Sequence, residues 1–258
     1  MSEDFVVIIP ARLASTRLPQ KALREIAGRP MILHVAERAM TSGARAVHVA
    51  TDADAIAGVC AAAGVSVVMT RDDHGSGSER LAEACSRLRL ADTAIVVNAQ
   101  GDEPLLPPAL IRQVAGLLAD SPGAAMASLF HRITDPAEVF DPNVVKVVCD
   151  GAGRAMYFSR APIPWDRSAF AQHAGTGAPS EHFRHIGLYA YRAGFLRRYV
   201  TLTPAPLERL EALEQLRALH HGETVMMAEA CTLPGPGVDT LQDLERVRRI
   251  VAGVEQPQ

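Results

Sequence analysis

The chain has 258 residues, 48% of them hydrophobic and 21% charged, with a formal net charge of -3. This length and composition suit one globular α/β domain with its own core, exclude disordered and fibrous classes, and argue against non-specific nucleic-acid binding, which needs a basic face. No run approaches the roughly 18 to 20 apolar residues that cross a bilayer, and the acidic start Met1-Ser2-Glu3-Asp4 is unlike a basic signal peptide, so a cytoplasmic protein outside the membrane is expected.

Phe5 to Ile9 is an apolar run rich in β-branched residues and reads as a buried strand. The loop leaving it, Pro10 to Lys21, reads P-A-R-L-A-S-T-R-L-P-Q-K and carries Arg12, Arg17 and Lys21 with no acid, plus Ser15 and Thr16. Open α/β sheets bind ligands at the C-terminal ends of their strands. Three cations there point to a polyanion, most simply a nucleoside triphosphate; a solvated basic loop is the alternative.

A helix is expected from Pro30 to Gly43, then a strand at Ala46–Ala50, whose His48 reads as structural. Asp54–Ala63 should be a short helix before a third strand, Val65–Met69. The next loop holds Arg71 and Ser76 and opens a helix with a capping box of Ser76 and Glu79, a place for an anion or a base edge. Its G-x-G lacks the third glycine of a dinucleotide fingerprint, which disfavours a Rossmann dehydrogenase. A fourth strand, Thr93–Asn98, leads into Gln100-Gly101-Asp102-Glu103, where an acid at a strand end could hold a divalent cation beside phosphates; Asp102 is the better candidate. Strands alternating with helices imply a mostly parallel sheet with helices on both faces.

After a helix at Pro107–Ala119 and a strand at Ala124–Phe130 the pattern changes. Val144–Val148 and Ala155–Phe158 flank Asp150-Gly151-Ala152-Gly153 as a hairpin, residues 166 to 181 lack periodicity, and His185–Tyr191 reads as a strand. The chain is therefore expected to be one domain, 1–258, with a β-rich subdomain at about 141–200 whose aromatic side chains form an interface or a substrate wall. Leu207–Leu219 reads as one amphipathic helix with Glu208, Glu211 and Glu214 on a solvated face. A strand at Val225–Ala230 and a last helix capped by Thr240 and Asp243, with Asp239 just before it, complete the chain. Cys60, Cys85, Cys149 and Cys231 form no C-x-x-C pair and read as small core residues.

With these segments in place the chain resembles the 3-deoxy-manno-octulosonate cytidylyltransferases, the CMP-Kdo synthetases of lipopolysaccharide biosynthesis. The resemblance runs from Val6 to about Val251. It rests on I-I-P-A-R-x-A-S-T-R-L-P-x-K, T-R-x-D-H-x-S-G-x-E-R-L-A-E, V-N-x-Q-G-D-E-P, P-N-V-V-K-V-V, Y-F-S-R-A-x-I-P-W, R-H-I-G-L-Y, L-E-x-L-E-Q-L-R and P-G-x-G-V-D-T. It implies a nucleotide-diphospho-sugar-transferase-like fold and transfer of CMP from CTP to Kdo with release of pyrophosphate. It further implies that Arg12, Ser15, Arg17 and Lys21 contact the triphosphate, that Asp102 and Asp239 bind Mg2+, and that Arg71 and Ser76 read cytosine. Arg160, His185, Tyr189, Glu214 and Gln215 would bind the sugar, with Gln100 between nucleotide and acceptor, in a homodimer. Gln20 stands where the family pattern has glycine, and Gly75-Ser76-Gly77-Ser78 where Q-S-G-T is more familiar. The rivals are a cytidylyltransferase for another acidic sugar, an 8-amino Kdo analogue or a sialic acid, and a nucleotide-sensing module without turnover.

Overall fold

The computed structural model describes residues 4–14, 17–172 and 181–256. In chain order it contains β1 (Phe5–Ala11), the two-residue strands β2 (Glu25–Ile26) and β3 (Arg29–Pro30), α1 (Met31–Met40), β4 (Ala46–Thr51), α2 (Asp54–Ala62), β5 (Ser66–Met69) and α3 (Gly77–Arg87). Next come β6 (Ile95–Asn98), α4 (Pro108–Ala119), β7 (Met126–Arg132), α5 (Pro136–Phe140), β8 (Lys146–Cys149), β9 (Ala155–Ser159) and α6 (Arg167–Gln172). The chain continues through β10 (Phe183–Arg192), α7 (Ala193–Tyr199), α8 (Pro206–Glu211), α9 (Gln215–His220), β11 (Val225–Glu229) and α10 (Leu241–Val251).

Among the described residues the main sheet runs β11-β7-β10-β6-β1-β4-β5, with the hairpin β8–β9 attached to the N-terminal end of β10. Strands β1, β4, β5 and β6 are parallel neighbours, as are β7 and β11, while β10 runs antiparallel between β6 and β7. Alternation along β1 shows why helices cover both faces. Phe5, Val7, Ile9 and Ala11 pack against α1, α2 and α4, whereas Val6 and Ile8 join the core beneath α3 and α7. Both faces of β1 are thus sealed. No described helix is long and apolar enough to cross a membrane.

Several local expectations are corrected. The segment Leu207–Leu219 is two helices, because Ala212 takes left-handed backbone, φ 51°. That conformation costs an alanine roughly 1 kcal/mol. It is offset by bonds that Glu211 makes to β9: its carboxylate accepts from Ser159 Oγ at 2.6 Å and from the Arg160 amide at 2.9 Å. Glu208, Glu211 and Glu214 do not form a solvated face. Glu208 binds Arg217, Glu211 holds β9, and Glu214 is turned inward to Ser78. The aperiodic stretch contains the short helix α6, and the part after Gln172 lies outside the described residues up to Glu181.

The aromatic residues expected to form an interface or a substrate wall are mostly core: Phe158, Tyr189, Tyr191, Phe195 and Tyr199 are buried, and Trp165 is exposed. Cys60 and Cys85 are buried as expected, whereas Cys149 is only partly covered and Cys231 is exposed. His48 keeps a structural place, its Nδ1 bonded to Ser66 Oγ across β4 and β5.

Candidate active site

Three loops meet at the C-terminal edge of the sheet. The loop after β1 supplies Arg12, Arg17 and Lys21, the turn after β6 supplies Gln100 and Asp102, and the turn before α10 supplies Asp239. Together with His74, Gly75, Ser76, Gly77 and Arg80, from the N-terminus of α3 and the loop before it, they line a cleft of about 350 Å3. Ser15 lies outside the described residues.

Backbone contacts explain how acids 137 positions apart become neighbours. The Val238 amide donates to the Asp102 carbonyl at 2.8 Å, which lays the turn containing Asp239 against the turn containing Asp102. Two glycines make this approach possible. A Cβ on Gly235 would stand 2.6 Å from Leu105 Cβ, and one on Gly101 would stand 2.9 Å from the Pro10 carbonyl, closer than side chains tolerate. Thr240 and Asp243 then cap α10 reciprocally, and Asp243 Oδ2 also accepts from the Asp239 amide. Capping thereby fixes the backbone on which Asp239 sits.

Lys21 stands between the two acids. Its Nζ donates to Asp102 Oδ2 at 2.6 Å and to Asp239 Oδ1 at 3.0 Å, and Arg17 approaches Asp239 at 3.6 Å. Burial works against the lysine's charge, but the Asp102 and Asp239 carboxylates outweigh it and hold its pKa above the ordinary value. Just before it, Gln20 has φ 55°, so this position demands the conformation that glycine adopts freely. The neighbouring Glu103 is turned into the core, where burial and then the Asp102 charge push its carboxyl up to about 8, which leaves Asp102 as the acid facing the cleft.

The loop between β5 and α3 is ordered by Glu83. Its Oε2 accepts from the Arg71 amide and from His74 Nε2, and its Oε1 accepts from Arg87. Burial alone would raise this carboxyl, but these donors hold it at about 2. Ser76 Oγ caps α3 by accepting from the Glu79 amide, but the Glu79 carboxylate reaches Gly75, one residue beyond the expected capping-box partner. The Arg71 side chain points elsewhere. It is exposed, pairs with Asp73 at 3.1 Å and lines a neighbouring groove. Arg80, from the first turn of α3, lines the cleft instead. His74 and Arg80 are cleft residues that no local spacing distinguishes, although both belong to the T-R-x-D-H-x-S-G-x-E-R stretch.

Of the residues expected at the sugar, Gln100 lines the cleft. Arg160 is braced on the hairpin, its Nε donating to the Glu211 carbonyl and its Nη1 to the Pro142 carbonyl. His185, Tyr189 and Glu214 gather near Ser78: the His185 and Tyr189 rings are 5.3 Å apart, and Ser78 Oγ donates to Glu214 Oε1 at 3.1 Å. Burial raises the pKa of Glu214 and sends that of Tyr189 well above its ordinary range. Gln215 is buried at the start of α9. Since Ser78 lies two residues from Ser76, α3 connects this group to the nucleotide-side loop.

His185 Nε2 is 2.9 Å from Ser128 Oγ, which itself donates to the carbonyls of Ile186 and Leu188 beside a bulge in β10. With the hydroxyl proton committed to a carbonyl, Nε2–H donates and Nδ1 remains an acceptor. Burial lowers the pKa of this imidazole from 6.5 to about 3. The unfolded chain therefore takes up a proton first as the pH falls. Stability is full above pH 6.5 and declines below it until the folded histidine titrates, a loss of about 1–2 kcal/mol by pH 5 from this group. Denaturant unfolding at pH 7 and pH 5 should show a steeper decline for the wild type than for His185→Gln; equal declines would contradict it.

Comparison with known proteins bears on the whole chain. The sequence profile of a family described as cytidylyltransferase matches residues 6–225. The 3-deoxy-manno-octulosonate cytidylyltransferase of Leptothrix cholodnii is 55% identical over 246 residues, covering 95% of this chain and 91% of that protein. The one from Idiomarina loihiensis is 55% identical over 248 residues, covering 96% and 98%. The chain belongs to the 3-deoxy-manno-octulosonate cytidylyltransferases. A solved structure of CMP:2-keto-3-deoxy-manno-octonic acid synthetase complexed with CTP superposes with a TM-score of 0.88 at 40% identity, covering 97% of this chain and 99% of that one. A cytidylyltransferase from Leptospira borgpetersenii, 14% identical with a TM-score of 0.60, shares the fold alone. The mostly parallel sheet with helices on both faces is thus the fold of the 3-deoxy-manno-octulosonate cytidylyltransferase family, and the cleft lies where its parallel strands end.

Proposed function

We propose that this protein transfers CMP from CTP to 3-deoxy-D-manno-octulosonate, giving CMP-Kdo and pyrophosphate for lipopolysaccharide biosynthesis. The observation that carries the reading is one cleft in which a three-cation loop faces two convergent carboxylates, in a chain of this family. Phosphoryl transfer asks a protein mainly for positioning and charge neutralisation. Arg12, Arg17 and Lys21 would hold the triphosphate and neutralise the departing pyrophosphate, and Ser15, which lies outside the described residues, would assist. The anomeric hydroxyl oxygen of the sugar attacks the α-phosphorus, the bond to the bridging α–β oxygen breaks, and the hydroxyl proton passes to solvent.

Asp102 and Asp239 fit a magnesium ion. Their oxygens lie 2.6 and 3.0 Å from one lysine nitrogen, so both already address a common point. Among the described residues no group of three or more metal-ligating side chains exists, and Mg2+ typically takes one or two carboxylates and completes its shell with phosphates and water. When bound, the ion would neutralise phosphate charge and lower the pKa of the attacking hydroxyl.

Arg160, His185, Tyr189, Glu214 and Gln215 would hold the sugar. An arginine suits its carboxylate, and the His185 Nδ1 acceptor suits a hydroxyl. Gln100, at the cleft, would stand between sugar and nucleotide, and Ser76 would face the nucleotide from the start of α3. The reading carries a cytoplasmic location, one catalytic domain with a β-rich part at about 141–200, and a homodimer. Exposed Met156 on β9, Trp165 and Leu210 on α8 are the apolar side chains that a second copy would cover.

An acceptor panel tests the substrate. With CTP and Mg2+, pyrophosphate should appear with Kdo at a kcat/KM at least tenfold above that with its 8-amino analogue or with N-acetylneuraminic acid. Preference for either competitor would overturn the sugar assignment, and tight CTP binding without product from any acceptor would favour a nucleotide-sensing module.

A further inference from the structure

Lys146, on β8, is a lysine with no exposed surface. Its ammonium has three hydrogens and three backbone acceptors: Nζ donates to the carbonyls of Val144 and Arg160 at 2.6 Å and of Asp141 at 2.9 Å. An apolar side chain of similar length would fill the same space without the cost of taking a charge out of water. What the ammonium adds is the fixed position of those three carbonyls. They frame a single contact. Arg160 Nη1 donates to the Pro142 carbonyl at 2.8 Å, and Lys146 holds the chain on both sides of Pro142 as well as the carbonyl of Arg160 itself. The Glu211 carbonyl takes Arg160 Nε at 2.7 Å. The guanidinium is thus held at two corners, and Nη2 has no hydrogen-bond partner among the described residues. Lys146 is also in register with Ser159 on β9 and with Arg184 on β10, and the neighbouring Val145 carbonyl accepts from the His185 amide at 2.8 Å. It therefore stands where the segments carrying Arg160 and His185 meet.

We propose that Lys146 is a positioning residue for the acceptor sugar: it locks the Asp141–Val144 turn against Arg160 and so aims the open corner of the guanidinium at the sugar's carboxylate. This role rests on the reading above, in which Arg160 binds the sugar. Lys146 itself touches no substrate, because all three of its donors are spent on the protein. Without the ammonium, the turn and the Arg160 backbone lose their common tie. The guanidinium then loses its fixed plane, and recognition of a carboxylate depends on that plane. The cations and acids of the nucleotide cleft come from other loops, so CTP binding should not follow.

The test combines initial-rate kinetics with CTP, Mg2+ and Kdo and direct CTP binding, on the wild type, Lys146→Met, Arg160→Ala and the double variant. Lys146→Met should raise KM for Kdo at least tenfold, change kcat less than threefold and leave the Kd for CTP within twofold. In the Arg160→Ala background the same substitution should raise KM less than twofold further, since the residue it serves is gone. A loss of equal size in both backgrounds, or an equal loss of CTP binding, marks a general structural role and overturns the proposal. Should Lys146→Met fail to fold, Lys146→Gln keeps two donors on a neutral side chain; KM for Kdo should then rise at least threefold with CTP binding within twofold, and an unaltered KM would count against the role. An unchanged KM in Lys146→Met beside a raised one in Arg160→Ala defeats the role of Lys146 alone. An unchanged KM in Arg160→Ala defeats the placement of the sugar at Arg160, and the role of Lys146 with it.

Discussion

Asp102→Asn is expected to lower kcat/KM by a factor on the order of 10^3 or more while leaving the fold intact. The amide keeps the volume of the carboxylate and an acceptor for Lys21 Nζ, now 2.6 Å from Asp102. What disappears is the negative charge needed to hold a divalent cation against the phosphates. The side chain is 32% exposed, and partly exposed ion pairs contribute little to stability, about 0 to 1 kcal/mol, so thermal unfolding should shift by only a few degrees. Asp239→Asn should behave alike, and the double variant should be little worse than either single one, because both acids would serve one ion. Rates within tenfold of wild type for either variant, measured at saturating Mg2+, would remove the two-carboxylate account.

Lys21→Ala should carry the second largest loss, a factor of about 10^2 to 10^3 in kcat/KM, since a charge positioned on the leaving pyrophosphate is removed. The same substitution should have an opposite effect on the ligand-free protein. Lys21 Nζ occupies the point at which Asp102 and Asp239 converge, so without nucleotide it competes with any cation for them. Its removal leaves two neighbouring carboxylates with only Arg17, 3.6 Å from Asp239, as a paired cation, and divalent-cation affinity in the absence of CTP should rise. Titration of Mn2+ followed by its paramagnetic effect on water relaxation would measure this. Unchanged affinity together with unchanged turnover would show that Lys21 plays no part at this point of the cleft.

These two predictions concern residues that the sequence made visible for physical reasons. The opening loop announced itself by three cations and no acid after an apolar strand, and Asp102 by its place at another strand's end. Asp239 looked only like a helix cap, because nothing local reveals that the Val238 amide bonds to the Asp102 carbonyl; the resemblance to a family supplied what composition could not. Parallel strands were legible because they are covered on both faces and read as unbroken apolar runs. The helix expected at Leu207–Leu219 was misread for the opposite reason. Its periodic leucines fit one helix, but the Glu211 bonds to Ser159 and Arg160 impose a break that no local propensity encodes. Arg71 and Arg80 show the same limit at the site. Both stand in one polar loop-helix segment; Arg71 pairs locally with Asp73, and it is the contacts of Arg80 with Thr70 and with the distant Asp52 that set it on the cleft wall.

Pyrophosphate release under initial-rate conditions, with CTP, Mg2+ and Kdo each omitted in turn, tests the central claim most directly. The account predicts release only in the complete mixture, with CMP-Kdo formed in a one-to-one ratio to pyrophosphate. Release without the sugar, or full activity after the divalent cation is removed by chelation, would contradict it.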